Sequence, residues 1–366
     1  MLQPTDIEAS ASMKIALAAP LFEAVPPKLY GGTERVVAYL ADALVDLGHD
    51  VTLFAAADAA TKARLVPVRD MALRLDPAPL KSEIAAHLNE LRELRRRVDA
   101  FDIIHFHTEL LHFPFFGDIA QRTLTTIHGR LDMKDLAETY RNWSDYPLIS
   151  ISNSQRAPLR FANWQGTVHH GLPDNLLPFC ATPSRSYLAF LGRISPEKRP
   201  DRAIAIARRA GLRLKIAAKV DTPDRSYFQE IVKPHLDDPL IEFVGEIGDR
   251  EKSEFLGNAL ALLFPIDWPE PFGLVLIEAM ACGTPVIAWN RGSVPEIITD
   301  GVTGRLVSSE DEAVAAIEQV APLDRLRIRR EFERRFTSLA MARSYLRHYR
   351  HLSASVAESV GVRCAE

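Results

Sequence analysis

Residues 259–288 constrain the chain more than any other stretch. They read A-L-A-L-L-F-P, I-D-W-P-E-P-F-G, L-V-L-I-E-A-M-A-C-G and T-P-V-I-A. That is a buried strand, a loop punctuated by prolines, a short helix ended by Gly283, and a second buried strand. The βαβ unit sets Glu270 just outside the carboxyl end of its first strand. Phe272, Gly273 and Leu274 open the helix, so backbone N–H groups face the same crevice, and N–H groups at a helix start attract anions. Glu278, eight residues after Glu270, has Leu276, Ile277, Ala279 and Met280 as neighbours. Those residues read as core, and a carboxylate among them needs a polar partner.

The alternation runs through the rest of the chain. K-I-A-L-A-A-P (14–20) reads as a first parallel strand, and 33–47 carries apolar residues at helical spacing. Between them, L-Y-G-G-T-E-R places Gly31 and Gly32 where strand gives way to helix. Glycines there permit close backbone approach, and Thr33 is suited to cap. Strands are expected at 50–56, 101–107, 122–128 and 147–152, with a helix over 81–98. Segments of this length in this order predict a doubly wound parallel sheet, whose functional residues gather at the carboxyl ends of the strands. Two of those strands end in histidine: His107, with His105 on the same face, and His128, followed by Gly129. A His-x-His pair can ligate metal, but His112, His169 and His170 stand in other contexts and supply no third ligand. The apolar run L-L-H-F-P-F-F (110–116) reads as packing beside the cleft.

After V-H-H-G-L-P-D (168–174), where the first domain is expected to end, a less periodic link leads into a second alternation. Its strands are expected at 187–193, 213–219 and 241–245, and its helices over 200–210, near 226–236 and from Asp249. G-R-I-S-P-E-K puts Arg193 and Lys198 at the end of its first strand, a planar fork of donors and a mobile point charge five residues apart. V-G-E-I-G-D carries Glu246 and Ile247 at the end of its third. A last helix over 337–352 buries one face through Leu339, Ala342, Tyr345, Leu346, Tyr349 and Leu352.

Taken together, E-P-F-G with Glu270 and Glu278 flanking seven intervening residues, G-G-T-E-R, D-I-I-H-F-H, T-T-I-H-G and G-R-I-S-P-E-K resemble the signatures of retaining nucleotide-sugar glycosyltransferases of the GT-B fold, most closely glycosyltransferase family 4. The resemblance covers Met13 to about Leu352. It implies an α/β chain of two Rossmann-like domains facing across a cleft: 13–172, joined by a C-terminal helix of about 337–366, and 173–336. It implies metal-independent, retaining transfer of a sugar from a UDP-, GDP- or ADP-sugar to an acceptor hydroxyl, with no resident cofactor. By resemblance, Arg193 and Lys198 hold the departing diphosphate with the Gly273 helix start, and Gly31 and Gly32 lie over it. Glu278 takes the ribose hydroxyls, Glu246 and Ile247 pass under the base, and Glu270 and His128 meet the sugar. The leaving phosphate oxygen takes the acceptor proton in a front-face substitution. One departure is His170-Gly171, where family members often carry Asn-Gly; no role follows for His170 from sequence.

Composition limits the alternatives. The chain has 366 residues, 47% of them hydrophobic and 25% charged, which is room for two compact domains. A net charge of −4 gives no broad drive toward nucleic acid. Cys180, Cys282 and Cys364 are too scattered for a disulfide framework or zinc knuckle and fit a reducing cytoplasm. Residues 1–12 lack a signal-peptide pattern and are expected to form a disordered tail, and no apolar run has the length of a membrane span. Six arginines and two glutamates over 325–335 leave peripheral membrane contact open, though mixed signs favour a solvated helix face. Gly31-Gly32 lacks the G-x-G-x-x-G spacing of a dinucleotide dehydrogenase, and no lysine context suits a pyridoxal phosphorylase. An epimerase of the same fold or a silent nucleotide-sugar binding module are the alternatives. Release of nucleoside diphosphate in proportion to acceptor separates transfer from both. The acceptor, whether glycan, lipid or natural product, is not readable from these motifs.

Overall fold

The computed structural model describes residues 11–28 and 31–363, with side chains to Ser355. The tail expected at 1–12 lies outside the described residues up to Ser10, as do Leu29, Tyr30 and Cys364. The first unit comprises β1 (Lys14–Ala18), α1 (Gly32–Asp46), β2 (Asp50–Ala56), β3 (Arg64–Arg69), α2 (Glu83–Arg95), β4 (Ile103–Phe106), β5 (Thr123–Thr126), α3 (Leu136–Asn142), β6 (Leu148–Ser150) and β7 (Trp164–Thr167). Its seven strands are parallel, in the order β3-β2-β1-β4-β5-β6-β7.

The second unit contains β8 (Tyr187–Arg193), α4 (Pro200–Ala210), β9 (Arg213–Lys219), α5 (Arg225–Tyr227), β10 (Ile241–Gly245), α6 (Asp249–Gly257), β11 (Ala261–Phe264), α7 (Leu274–Ala281), β12 (Val286–Trp289), α8 (Val294–Ile297), β13 (Gly304–Val307), α9 (Glu310–Val320) and α10 (Arg325–Arg335). Its six parallel strands run β10-β9-β8-β11-β12-β13. β11 and β12 are buried along their whole length because helices cover both faces of the sheet, which is why they read as unbroken apolar runs.

Each sheet has one place where the strand order reverses. In the first it lies between β1 and β4, in the second between β8 and β11. A crevice opens outside the carboxyl ends of strands at such a reversal. The two reversals bring the G-G turn after β1, the histidine after β4, Arg193 and the Glu270 loop to facing walls.

Several local expectations differ from what forms. Strands β3 (R-L-V-P-V-R) and β7 (W-Q-G-T) were not expected, because edge strands exposed to solvent carry arginine, proline and polar residues without an apolar signal. The helix expected near 226–236 breaks into α5, a π turn at Phe228–Val232 and a 3-10 turn at Lys233–His235, where Pro234 lacks the N–H a helix needs. Thr33 does not cap α1. The helix already starts at Gly32, with Gly31 as its N-cap and no side-chain hydrogen bond there. Run 110–116 forms a short 3-10 turn, with Phe113 and Phe116 buried in the core beneath it.

The final helix α11 (Ser338–Arg363) starts beside the link between the units. Leu172 N–H donates to the Phe336 carbonyl at 2.9 Å, and Ser338 N–H donates to the Leu172 carbonyl at 2.7 Å. Gly171 permits this: a Cβ there would stand 2.2 Å from the Thr337 carbonyl oxygen. From that point α11 runs under the first sheet. Tyr349 OH lies 2.7 Å from His105 Nδ1, and Tyr345 OH lies 2.9 Å from Thr126 Oγ1. Two further contacts tie the units together. Arg35 of α1 donates to Asp249 of α6 at 2.5 Å, and Glu296 of α8 accepts from the Asn153 and Ser154 N–H groups at 2.8 and 2.7 Å. Among the described residues no helix is long and apolar enough to cross a membrane.

Candidate functional site

A cleft of about 890 Å3 separates the two units, and Gly31, Gly32, His128, Arg193, Lys198, Glu246, Ile247, Glu270, Phe272, Gly273, Leu274 and Glu278 all line it. The structure thus brings to one place every residue that the resemblance assigns to the site, whereas His105 of the His-x-His pair does not line it. Gly31 has φ 149, and a Cβ on it would meet Pro27 at 2.8 Å, so the turn is closed to other residues. A Cβ on Gly32 would stand 3.6 Å from Leu274, which puts the turn of the first unit directly over the start of α7 in the second. No side chain caps α7, and its N-cap Gly273 has φ 87. The first N–H groups of that helix are therefore available to an anion in the cleft.

The cations of the second wall are already paired with carboxylates. Lys198 forms an ion pair with Glu270, and its ammonium lies 5.1 Å from the Trp268 ring and 5.5 Å from the Phe264 ring. Trp268 Nε1 donates to the same Glu270 oxygen at 3.0 Å. The Glu270 backbone is seated by the loop after β12. Ser293 N–H donates to its carbonyl at 3.0 Å, and Gly292, with φ 57, leaves only 2.4 Å between a would-be Cβ and the Glu270 nitrogen. Arg193 donates to Glu197 at 2.5 Å, with Asp221 and Asp224 carboxylates 3.8 and 3.9 Å away. An anion entering the cleft competes with these carboxylates for both cations.

Glu278 is 3% exposed, and Lys252 supplies the polar partner its position demands, at 2.8 Å. Lys252 also lies 3.5 Å from Asp249, the residue bonded to Arg35. A charge ladder therefore runs from Glu278 across the mouth of the cleft into α1 of the other unit.

The first wall is built of neutral imidazoles. His107 Nδ1 and His128 Nε2 are 2.9 Å apart, and His128 stacks on His170 with ring centroids 5.2 Å apart. Burial lowers the pKa of His105, His107, His112, His128 and His170, those of His105, His107, His112 and His170 well below the usual value. Both nitrogens of His105 are engaged, one by Tyr349 and one by Thr126, so this ring holds β4, β5 and α11 together. No group of three His, Cys, Asp or Glu side chains suited to a metal occurs among the described residues.

These histidines have a consequence for stability. Their pKa values are depressed on folding, so below the unfolded value of about 6.5 the unfolded chain binds protons that the folded chain refuses. Stability therefore falls as pH drops from 7 toward 5, each imidazole contributing up to about 1.4 kcal/mol per pH unit. The buried carboxyls of Glu34, Glu90 and Glu109, raised by desolvation, act in the opposite sense as pH falls toward their unfolded value. Five imidazoles outweigh three carboxyls, and thermal melts across this range should show a lower melting temperature at the acid end. A flat profile would contradict the neutral assignment.

Sequence reasoning did not single out Lys252, Asp249, Arg35, Trp268 or Glu109 for the site. Glu109, at φ 52, accepts the His128 and Gly129 N–H groups at 3.0 Å each and so fixes the end of β5. Its position two residues after His107 was the available signal. Trp268 stands two residues before Glu270 in the same loop. Asp249 closes V-G-E-I-G-D and Arg35 closes G-G-T-E-R, but Lys252 belongs to no motif, and only tertiary structure brings these three together beside Glu278.

Residues 182–335 match the family described as glycosyl transferases group 1, and residues 30–164 match glycosyltransferase family 4. The D-inositol 3-phosphate glycosyltransferase of Mycobacterium marinum is 36% identical over 141 residues, 35% of this chain and 28% of that protein. The Mycolicibacterium smegmatis protein of the same name is 36% identical over 186 residues, 45% of this chain and 39% of its own length. The matches thus span well under half of these curated relatives. Sucrose-phosphate synthase from Thermosynechococcus elongatus superposes with a TM-score of 0.75 at 20% identity, covering 94% of this chain and 100% of the other. AviGT4, a glycosyltransferase involved in avilamycin A biosynthesis, gives 0.68 at 24% identity over 93% and 98%. Anabaena HepE in complex with UDP and glucose gives 0.70 at 18% over 92% and 99%. At these identities the superpositions speak to the fold.

Proposed function

The chain belongs to the glycosyl transferases of group 1 and family 4 and has the GT-B fold, and from that premise we propose that it moves a sugar from a nucleoside diphosphate donor to an acceptor hydroxyl, with retention and without a metal ion. The observation that carries this reading is the division of the cleft. Arg193, Lys198 and an uncapped helix start stand on one wall, and a cluster of neutral hydrogen-bonding rings, His107, His128 and His170, stands on the other beside Arg35, Arg74 and Arg130. A departing diphosphate needs the first, and an uncharged sugar suits the second. In this reading Arg193, Lys198 and the α7 start hold the diphosphate, with Gly31 and Gly32 closing over it. Glu278 takes the ribose hydroxyls, and the loop at Glu246 and Ile247 supports the base. Glu270 and His128 meet the sugar.

The bond from the anomeric carbon to the phosphate oxygen breaks as the bond to the acceptor oxygen forms on the same face. The departing phosphate oxygen takes the acceptor proton. Glu270, paired with Lys198, lies beside the reacting carbon, where positive charge develops on the sugar. A cytoplasmic site of action belongs to the same reading, supported by the buried thiol of Cys282 and the scattered cysteines.

Thermal-shift screening against UDP, GDP, ADP and their sugars tests the donor class. A ligand at ~100 times its dissociation constant stabilises by about 2.7 kcal/mol, and a chain that no nucleotide stabilises is not this enzyme. Chelator should leave activity in place, because Arg193, Lys198 and helix N–H groups balance the diphosphate charge. Complete loss in EDTA with rescue by a divalent ion would overturn metal independence.

A further inference from the structure

His170 lies in the link between the units. It is 4% exposed, lines the cleft, and is held between two rings: His128 stacks on it at an interplanar angle of 18°, and Phe272 of the Glu270 loop meets it edge-on with centroids 4.8 Å apart. Burial keeps it neutral, so one of its two nitrogens carries a hydrogen and the other a lone pair. Nδ1 is enclosed and has no partner. A buried N–H without an acceptor is among the rarest defects in folded proteins, whereas an enclosed lone pair is better tolerated. The hydrogen therefore belongs on Nε2, which faces the cleft.

The same accounting fixes the neighbouring rings. His107 Nε2 is likewise enclosed without a partner, so the hydrogen of His107 is on Nδ1. That nitrogen lies 2.9 Å from His128 Nε2 and donates to it. His128 must then carry its own hydrogen on Nδ1, which has no hydrogen-bond partner among the described residues. Two stacked imidazoles thus present N–H groups, and no lone pair, to the space between the units.

We propose that His170 is a specificity-determining residue: its Nε2–H and the Nδ1–H of His128 form a donor pair for hydroxyl oxygens of the transferred sugar, with His107 as the positioning residue that sets the His128 tautomer. The assignment rests on the reading of the cleft as a nucleotide-sugar site. Because both rings offer donors only, the pair accepts hydroxyl or carbonyl oxygens and excludes a sugar bearing an ammonium at that position, which has no lone pair to give.

Long-range proton–nitrogen correlation spectra of the ligand-free full chain, labelled with 15N-histidine, read the tautomers directly. His107→Gln, His128→Gln and His170→Phe assign the signals. The expected pattern is a protonated Nδ1 in His107 and His128 and a protonated Nε2 in His170. Hydrogen on His170 Nδ1 or His128 Nε2 overturns the proposal. Turnover is then measured with whichever of UDP-, GDP- or ADP-glucose stabilises the chain most. His170→Phe keeps the stack and removes the donor, and it should lower kcat/KM about tenfold while nucleoside diphosphate binding holds. His170→Asn, which restores an N–H, should recover most of that loss. Unchanged kcat/KM in His170→Phe removes His170 from the site. A chain stabilised by none of the three removes the glycosyl-transfer reading itself, whereas reversed tautomers in a chain that binds them remove only this inference.

Discussion

Arg193→Ala and Lys198→Ala should each lower turnover roughly 100- to 1,000-fold, the loss typical of removing one preorganised donor from a developing charge. The physical ground is that both cations are in place before substrate arrives. Lys198 is held by Glu270 and flanked by two aromatic faces, and Arg193 is held by Glu197 with Asp221 and Asp224 close by. Neither has to be recruited during the reaction, so its contribution is realised at the transition state and not spent on ordering. The Lys198 variant carries a second cost. Glu270 is only 8% exposed and would keep a single protein hydrogen bond to its carboxylate, from Trp268, so some loss of melting temperature is expected with the loss of rate. Nucleoside diphosphate titrations on the folded variants separate the two effects. Near-wild-type turnover in both would end the diphosphate assignment.

His128→Ala should fold, bind free nucleoside diphosphate as the parent does, and lose turnover by roughly 100-fold, again the scale of one lost donor. In the proposed arrangement Arg193, Lys198 and Glu278 on the opposite wall hold the nucleotide, so its affinity should not depend on this ring. A contact made chiefly in the transition state lowers kcat and kcat/KM together, whereas one made equally in the ground state raises only KM. The expected signature is the former. Removal also strands the His107 hydrogen that His128 accepts and exposes one face of His170. A drop in stability of about 1–3 kcal/mol should therefore accompany the kinetic effect. If the melting temperature falls and kcat of the folded enzyme does not, His128 is a structural ring and Glu270 is left as the assigned sugar contact.

What the sequence shows of this site is what lies close together along the chain. Glu270 and Glu278 are separated by a loop and about one helical turn, Arg193 and Lys198 by one tight turn, and Gly31 and Gly32 are adjacent. Their chemistry and spacing are visible without a fold. Strands β2, β8, β9 and β10 are legible over their observed lengths because the first two are mainly apolar runs and the last two set apolar residues in alternation with charged ones, each bounded by turns. The partners that complete these groups are not local. Lys252 reaches Glu278 from 26 residues away, and Arg35 reaches Asp249 from 214. Periodicity has no term for such meetings. The single polar residue Glu278 in an apolar helix did announce that a partner existed, without saying which. His105 shows the opposite case: its spacing to His107 suggests a ligand pair, and only Tyr349, 244 residues later, reveals that its nitrogens are engaged.

The return of α11 beneath the first sheet bears on the order in which the chain is made. Strands β4 and β5 leave a ribosome long before Tyr345 and Tyr349 do, and until those hydroxyls arrive His105 Nδ1 lacks its partner and Thr126 has lost one of its two. Beyond α10 the second unit meets Phe336 at once, its ring 6.3 Å from that of Phe272, so it is equipped to reach its native packing while the first still waits. The half synthesised first is thus the half completed last, and a translation product cut off after Phe336 would carry a packed second unit facing a first sheet whose underside is still open.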